Sequence, residues 1–332
     1  MRYTWGMSVT PPRLRIGISA CLLGQEVRYN GGHKRDPFLA DTLGRYVEWV
    51  PVCPEVELGM GTPRPPVRLE RHKDEVRLVM PSTGEDYTET MRRWSERRAE
   101  ALAGMDLDGY VLKKDSPSCG MERVKIHNRA NGAGGAGAPA KDGRGLFAAA
   151  LMARLPDLPV EEEGRLNDPL LRESFVARVF VHHRWREGER DGWTRAALVR
   201  FHERQKYLLM ARNQAALRRL GRLLGETGKD TPAGELAAAY REGLTGILRR
   251  PATRRGHTNV LHHLAGHVSK ALDREDRAEL AGTIERYRQG LVPLIVPLTL
   301  IRHHVRRQGV GYLQDQVYLE PHPYELMLLN YV

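Results

Sequence analysis

The chain has 332 residues, of which 41% are hydrophobic, and a formal net charge of +11. This length allows two domains with separate cores. The longest apolar run, Leu291 to Ile301, is too short for a membrane span and carries two prolines. The N-terminus lacks the apolar core of a secretory signal, and an odd number of cysteines, three, argues against a disulfide scaffold. We therefore expect a cytoplasmic protein that has no contact with a membrane.

Positive charge is concentrated in one stretch of the chain. Residues 184–256 contain many arginines and few acids, including the pairs Arg218-Arg219 and Arg249-Arg250. An uneven basic surface favours a polyanionic partner, and nucleic acid is the first candidate. The alternative is a solvated arginine-rich surface without a partner.

Short apolar runs alternate with amphipathic segments in the first half. After a disordered lead-in over residues 1–12, the pattern predicts strands at 14–20, 49–52, 76–80, 108–112 and 158–160 and helices at 37–46, 87–104 and 145–155. Such alternation is typical of βαβ units. We therefore expect an α/β domain over residues 13–166, with an open, mostly parallel, Rossmann-like sheet. Residues 131–144, rich in Gly and Ala, match no phosphate-binding motif and favour a mobile surface loop.

The second half has helical periodicity. A helix at 170–185, within residues 167–189, is predicted to link the domains. Helices are then predicted at 195–225, 234–248, 259–272 and 274–290, which gives an all-α domain over residues 190–332. The C-terminal tail is rich in tyrosine and includes Tyr312 and Tyr324. Paired histidines such as His262-His263 have no metal-binding carboxylate motif nearby. The simpler interpretation is that they are hydrogen-bonded or exposed to solvent and do not form a second metal site.

Each of the three cysteines follows a predicted strand. Cys21, Cys53 and Cys119 should therefore gather at the edge of the sheet where open α/β folds bind ligands. Thiolates are soft ligands that suit iron–sulfur clusters, zinc and copper(I). The absence of a C-x-x-C pair excludes a zinc ribbon or a thioredoxin motif. Spacing alone leaves open either a metal centre or three buried free thiols.

Three motifs carry a resemblance to a known family. They are Ser-Ala-Cys-Leu-Leu-Gly at 19–24 with Arg-Tyr-Asn-Gly at 28–31, Val-Cys-Pro-Glu at 52–55, and Lys-x-Asp-Ser-Pro-Ser-Cys-Gly at 113–120. Over residues 13–165 the chain resembles the TudS family of thiouracil desulfidases. Residues 190–332 resemble the YbgA-like helical domain, and the fusion resembles the RudS group of tRNA 4-thiouridine desulfidases. The N-terminal extension and the loop at 131–144 depart from the family pattern and can alter substrate access.

The resemblance implies a [4Fe-4S] cluster with three protein ligands, Cys21, Cys53 and Cys119, and one open iron. It also implies non-redox hydrolysis of the C–S bond of a thiolated uracil, most plausibly 4-thiouridine in tRNA, which yields uridine and hydrogen sulfide. Two alternatives stay open at this point. One is an enzyme that acts on free thiouracil, and the other is a non-enzymatic iron–sulfur sensor that binds nucleic acid through the basic domain.

Several polar residues near the cysteines are candidates for chemistry. Glu55 is the candidate base that activates water, although it can instead form a buried salt bridge. Ser116 and Ser118 can orient the base or the water, or simply cap a turn. Four further residues can hold a substrate phosphate or brace the cluster loop: Arg28, Asn30, Lys113 and Lys114.

Overall fold

The computed structural model describes residues 14–73, 75–128, 138–228 and 230–332. The chain divides into two compact units, one that ends at Asn167 and one that begins at Asp168. The first unit is α/β and the second is helical, so the predicted fold class is confirmed. The predicted lead-in over residues 1–12 lies outside the described residues.

The α/β unit contains two sheets. Their strands are β1 Leu14–Ser19, β2 Val47–Val52, β3 Arg68–His72, β4 Glu75–Val79, β5 Gly109–Leu112, β6 Val124–Asn128, β7 Ala140–Gly143 and β8 Val160–Glu162. The first sheet has the order β2-β1-β5-β8, and all of its pairs are parallel. Its parallel strands place the residues that follow β1, β2 and β5 at one edge.

A close approach in this sheet explains Gly17 in the middle of β1. A Cβ atom at Gly17 would lie 2.2 Å from the ring of Tyr110, a fully buried residue of the neighbouring strand β5. Only glycine leaves room for this ring. Tyr110 also packs edge-on against Phe147, with the ring centroids 5.8 Å apart. The packing therefore joins β1 and β5 to the helix that contains Phe147.

The second sheet, of order β4-β3-β6-β7, was only partly predicted. Its strands are short and carry many charges, and few of their side chains are buried, so their apolar pattern is weak. The prediction of a loop over residues 131–144 was wrong where β7 pairs with β6, and residues 129–137 lie outside the described parts of the chain. The single helix predicted at 37–46 is instead a π-helical turn, Phe38–Thr42, followed by a 3-10 turn, Leu43–Arg45.

The helices of the α/β unit pack against both sheets. They are α1 Pro54–Glu57, α2 Thr88–Ala103 and α3 Leu146–Arg154. Helices α2 and α3 pack together through Trp94 and Phe147, whose ring centroids are 5.6 Å apart. Helix α1 is only a single turn, but it begins directly after Cys53.

The helical unit contains the long, mostly amphipathic segments predicted from periodicity. Its helices are α4 Pro169–Arg190, α5 Arg195–Glu226, α6 Ala233–Leu248, α7 Arg254–Val268, α8 Arg274–Arg288, α9 Ile295–Gln308 and α10 Gly311–Gln314. Helix α9 was not predicted as a separate helix because Pro297 lies within it. Proline is tolerated there because it falls in the first turn, where the backbone N–H has no partner in the helix. Among the described helices, none combines 18 or more residues with enough apolar side chains for a membrane span.

Helix α5 is broken at Asn213, which has non-helical angles of φ −160° and ψ 97°. The Asn213 side chain accepts a hydrogen bond from the Ala216 N–H at 3.0 Å and so caps the second part of the helix. Just before this break the α5 backbone meets α7. A Cβ atom at Gly256 would lie 1.9 Å from the carbonyl oxygen of Ala211.

Candidate active site

The three cysteines follow neighbouring parallel strands, as the sequence predicts. Cys21 lies in the 3-10 turn Ala20–Leu23 directly after β1, and Cys53 directly follows β2. Cys119 lies in the loop after β5. All three are free thiols, and Cys21 and Cys119 are buried.

Burial raises the pKa of all three thiols, and the thiols also interact with one another. The pKa of Cys21 is raised to about 11, mainly by burial, which Lys113 opposes and the neighbouring Cys53 reinforces. Burial also raises the pKa of Cys119 well above its usual value; a hydrogen bond from Ser19 lowers it, and the charges of Glu55, Cys53 and Cys21 add to the increase. The pKa of Cys53 is raised mainly by burial as well. Without a cation to stabilise the thiolates, these groups are therefore protonated at neutral pH.

The three thiols supply a donor set that can be compared with known metal centres. In the described parts of the chain, no three His, Cys, Asp or Glu side chains are placed to hold one metal ion. A four-iron cluster binds each thiolate through a different iron, so its ligands do not have to meet at one point. The donor set consists of soft sulfur ligands, which suits iron–sulfur chemistry. Three such ligands would leave one iron of a cubane open.

The Cys119 loop is fixed by its own backbone and by α3. The hydroxyl oxygen of Ser116 accepts hydrogen bonds from the N–H groups of Cys119 at 3.0 Å and Ser118 at 3.3 Å. The free N–H groups at the start of α3 bond to this loop, including Phe147 N to Ser118 O at 3.0 Å. Gly145 is required because a Cβ atom there would lie 2.4 Å from Ser118 O. These contacts favour the turn-capping role for Ser116.

Glu55 is held from both sides. The Ser118 hydroxyl donates a hydrogen bond to Glu55 Oε1 at 2.9 Å. Arg64 Nε donates to Glu55 Oε2 at 3.1 Å, and a terminal nitrogen of the same guanidinium also donates to Oε2. The Arg64 side chain is only 3% exposed and that of Glu55 14%. The carboxylate is therefore fixed in position two residues beyond Cys53.

Arg64 also ties together the loops around the thiols. Its second terminal nitrogen donates to Val27 O at 3.1 Å and to Gly61 O at 2.8 Å. The Cys53 thiol contacts the same Val27 carbonyl oxygen at 3.7 Å. One buried guanidinium thus links Glu55, the segment after Cys21 and the segment that contains Gly61.

The four candidate substrate-binding residues have different surroundings. Lys113 Nζ forms an ion pair with Glu163 at 2.5 Å, so its charge is already matched. The Lys114 side chain is exposed. Asn30 is exposed and its Oδ1 accepts from Gly32 N at 3.2 Å, which is typical of a turn. Arg28 is half-buried and lies near Cys21, whose pKa it lowers slightly.

Sequence reasoning missed three residues of this site: Ser19, Arg64 and Glu163. Ser19 ends β1 and accepts from Lys113 N at 3.0 Å, which connects the first and third cysteine motifs. Arg64 stands among prolines in Thr-Pro-Arg-Pro-Pro at 62–66, a composition that by itself predicts only a rigid loop. An arginine in an otherwise apolar, proline-rich stretch was the available indication of a buried cation.

A cavity in the described part of the helical unit differs from this site in size. That cavity measures about 20 Å³ and is lined by residues that include Glu173, Arg212, His257 and Tyr318. It has room for about one water molecule and is too small for a pyrimidine.

Comparisons with known proteins agree with the two units. Residues 16–163 match a family model described as 2-thiouracil desulfurase. Residues 206–323 match a model described as a protein of unknown function, DUF1722.

Similar proteins cover parts of this chain. The uncharacterized protein YbgA of Escherichia coli is 32% identical over 151 residues, which cover 46% of this chain and 89% of that protein. The uncharacterized protein YbbK of Bacillus subtilis is 31% identical over 110 residues, 32% of this chain and 72% of that protein. A solved structure titled "[4Fe-4S]-dependent thiouracil desulfidase TudS" is 33% identical, with 47% of this chain and 94% of that chain covered and a TM-score of 0.36.

Proposed function

We propose that this chain, which belongs to the 2-thiouracil desulfurase family through residues 16–163 and carries a YbgA-like second half, hydrolyses the C–S bond of 4-thiouridine in tRNA. The observation that carries the proposal is the placement of Glu55. A carboxylate fixed by Ser118 and Arg64 lies near the thiols of Cys53 and Cys119, which also interact with the thiol of Cys21. A sensor that only binds a cluster has no need of such a carboxylate.

In this proposal Cys21, Cys53 and Cys119 hold a [4Fe-4S] cluster with one iron open to substrate. When bound, the cluster supplies a Lewis acid that draws electron density from the thiocarbonyl sulfur. Since ligands must be deprotonated, three buried thiols would release their protons on binding. Lys113 and Arg28, which already favour the ionised form of Cys21, would assist this ionisation.

Glu55 is proposed to accept a proton from the attacking water. Its two oxygens offer about four acceptor positions, and Ser118 and Arg64 do not fill them all. The water oxygen bonds to the ring carbon, one water proton passes to Glu55, and the C–S bond breaks as the second proton leaves with the sulfur as HS⁻ and a carbonyl forms. Ser118 and Arg64 keep the carboxylate in one orientation, which removes the need to order it during the reaction.

The substrate is proposed to be RNA and not a free base because of charge. The chain carries 52 Lys and Arg residues against 41 Asp and Glu residues. Phosphate contacts dominate the affinity of proteins for nucleic acids. They can offset the cost of unstacking a base, which is roughly a few kcal/mol. A neutral free thiouracil would make no use of this charge.

An anaerobic assay with reconstituted protein tests the proposal. Sulfide release is measured with tRNA that contains 4-thiouridine and, separately, with free 4-thiouracil. The proposal predicts a higher kcat/KM for the tRNA and a steep loss of tRNA turnover with rising salt. A preference for free 4-thiouracil with no salt dependence would support the free-base alternative instead.

A further inference from the structure

Lys206 lies among aromatic rings contributed by two helices of the helical unit. Its ammonium group is 5.5 Å from the ring centre of Tyr207 on α5 and 5.8 Å from that of Tyr312 on α10. The ammonium also donates a hydrogen bond to the Tyr312 hydroxyl at 3.3 Å. Because it is near the hydroxyl and farther from the ring centre, the ammonium lies at the edge of the Tyr312 ring and does not cover its face.

Tyr312 is 41% exposed, whereas Tyr207 is buried. A hydrogen bond of 3.0 Å joins the Tyr207 hydroxyl to His267 Nε2 on α7. The His267 ring in turn lies 5.8 Å from the Tyr312 ring, at an angle of 47°. The exposed aromatic ring is therefore supported from beneath by fixed side chains of two long helices.

The end of α9 sets the position of Tyr312. Gly309 adopts a left-handed conformation with φ 65°, which turns the chain into α10. Gln308 Nε2 donates to Val268 O at 3.1 Å and so fastens this end of α9 to the end of α7. The position of the Tyr312 ring is therefore set by the packed ends of α7 and α9.

Lysines supply positive charge near this ring. Burial lowers the pKa of His267, and Lys206, His263 and Lys270 lower it further, while no acid acts in the opposite direction. Within the described parts of the chain, no carboxylate lies within ion-pairing distance of Lys206 or Lys270. The side chains of His263, His267 and Lys270 are exposed.

We propose that Tyr312, Lys206 and Lys270, with His263 and His267 beside them, form a nucleotide-binding site for RNA, in which a base stacks on Tyr312 and the two lysines bind its flanking phosphates. Exposed aromatic faces beside cations are the usual means by which proteins hold unpaired bases. An acidic protein segment would use the cations but not the exposed ring. The inference rests on the proposed function in that the substrate is taken to be RNA.

The test measures the affinity of the full-length protein for an unmodified, fluorescently labelled tRNA by anisotropy at several salt concentrations. Tyr312→Ala should weaken binding about tenfold, as expected for the loss of one stacked base. Tyr312→Phe, which keeps the ring and loses the hydroxyl, should bind nearly as well as the wild type. Lys206→Gln should weaken binding and lower the slope of log affinity against log salt by about one.

Tyr331→Ala is the matched control. Tyr331 is 71% exposed in the same unit, and in the described residues it pairs with no cation. This variant should bind tRNA as the wild type does. Circular dichroism melting curves of all four variants check that the unit stays folded.

The proposal would be overturned if both Tyr312→Ala and Lys206→Gln bind tRNA with the affinity of the wild type. Equal competition by polyglutamate, a polyanion without bases, would also overturn it and assign the patch to acidic proteins. Sulfide release from free 4-thiouracil is measured on the same samples and should be unchanged. If the wild type releases no sulfide from any thiolated substrate, the proposed function fails, whereas the anisotropy data still decide this site.

Discussion

Glu55 is the residue on which the proposed chemistry depends most. Its carboxylate is fixed by Ser118 and by the buried Arg64, and it is the last residue of the Cys53 motif. The same contacts fit the alternative role considered from the sequence, a buried salt bridge. Substitution separates the two roles because a base acts on turnover, whereas a structural ion pair acts on folding and on cluster assembly.

Glu55→Gln should keep the brown chromophore of the reconstituted protein and lower kcat by about 10²- to 10⁴-fold, the usual contribution of a general base. Glu57→Gln is the matched control, since Glu57 lies on the same short helix and pairs with Arg98 at 3.1 Å, away from Ser118. The control should retain both chromophore and turnover. If Glu55→Gln fails to assemble a cluster, the base assignment is wrong.

Arg64 is expected to act through Glu55, as a positioning residue. Arg64→Lys keeps the positive charge but loses the forked contact, so kcat should fall about 10- to 100-fold with little change in KM. In a Glu55→Gln background the same change should have almost no further effect, because both residues serve one carboxylate. Steady-state kinetics of the four proteins measure this coupling. If the losses in kcat are additive in the double variant, Arg64 does not act through Glu55.

At the scale of elements, prediction from sequence succeeded where the apolar pattern was strong. The parallel strands β1 and β5 bury most of their side chains, and the ends of β1, β2 and β5 place the cysteines. The second sheet was largely missed because its charged strands bury few side chains. Arg64 could not be assigned because its partner, Glu55, is brought to it only by the folded loop.

The break in α5 gives a prediction about helix packing. Gly256→Ala would place a methyl group against the carbonyl oxygen of Ala211, at 1.9 Å before relaxation. We expect a loss of about 1–3 kcal/mol in the free energy of unfolding of the helical unit. Gly266→Ala on the same helix has no atom within 4 Å of the added carbon and should be neutral or slightly stabilising. Urea unfolding curves of both variants measure the difference. Equal stability would mean that α5 and α7 are not packed as described.

At the scale of the whole molecule, two units with different chemistry share one chain. The cysteines and Glu55 belong to the unit that ends at Asn167, and Tyr312 and Lys206 belong to the unit that begins at Asp168. The similar proteins YbgA and YbbK are each matched over most of their length by less than half of this chain. Each is therefore too short to contain both units, which suggests that the units can occur apart.

Removal of residues 168–332 should therefore lower the activity on thiolated tRNA more than the activity on free 4-thiouracil. We expect the remaining unit to release sulfide from free 4-thiouracil at close to the full-length rate. Its kcat/KM for thiolated tRNA should fall at least tenfold, since the proposed phosphate and stacking contacts are lost. Equal activity of both proteins on tRNA would show that the helical unit has no part in substrate binding.

The central claim, hydrolytic removal of sulfur without redox chemistry, is tested most directly by the isotopic origin of the product oxygen. Reconstituted protein is incubated anaerobically with thiolated tRNA in water enriched in oxygen-18, without an added reductant, and sulfide and product uridine are quantified together. We predict one sulfide for each uridine formed and one oxygen-18 atom at the position that the sulfur occupied. Unlabelled uridine, or no sulfide from a fully assembled protein, would contradict the account.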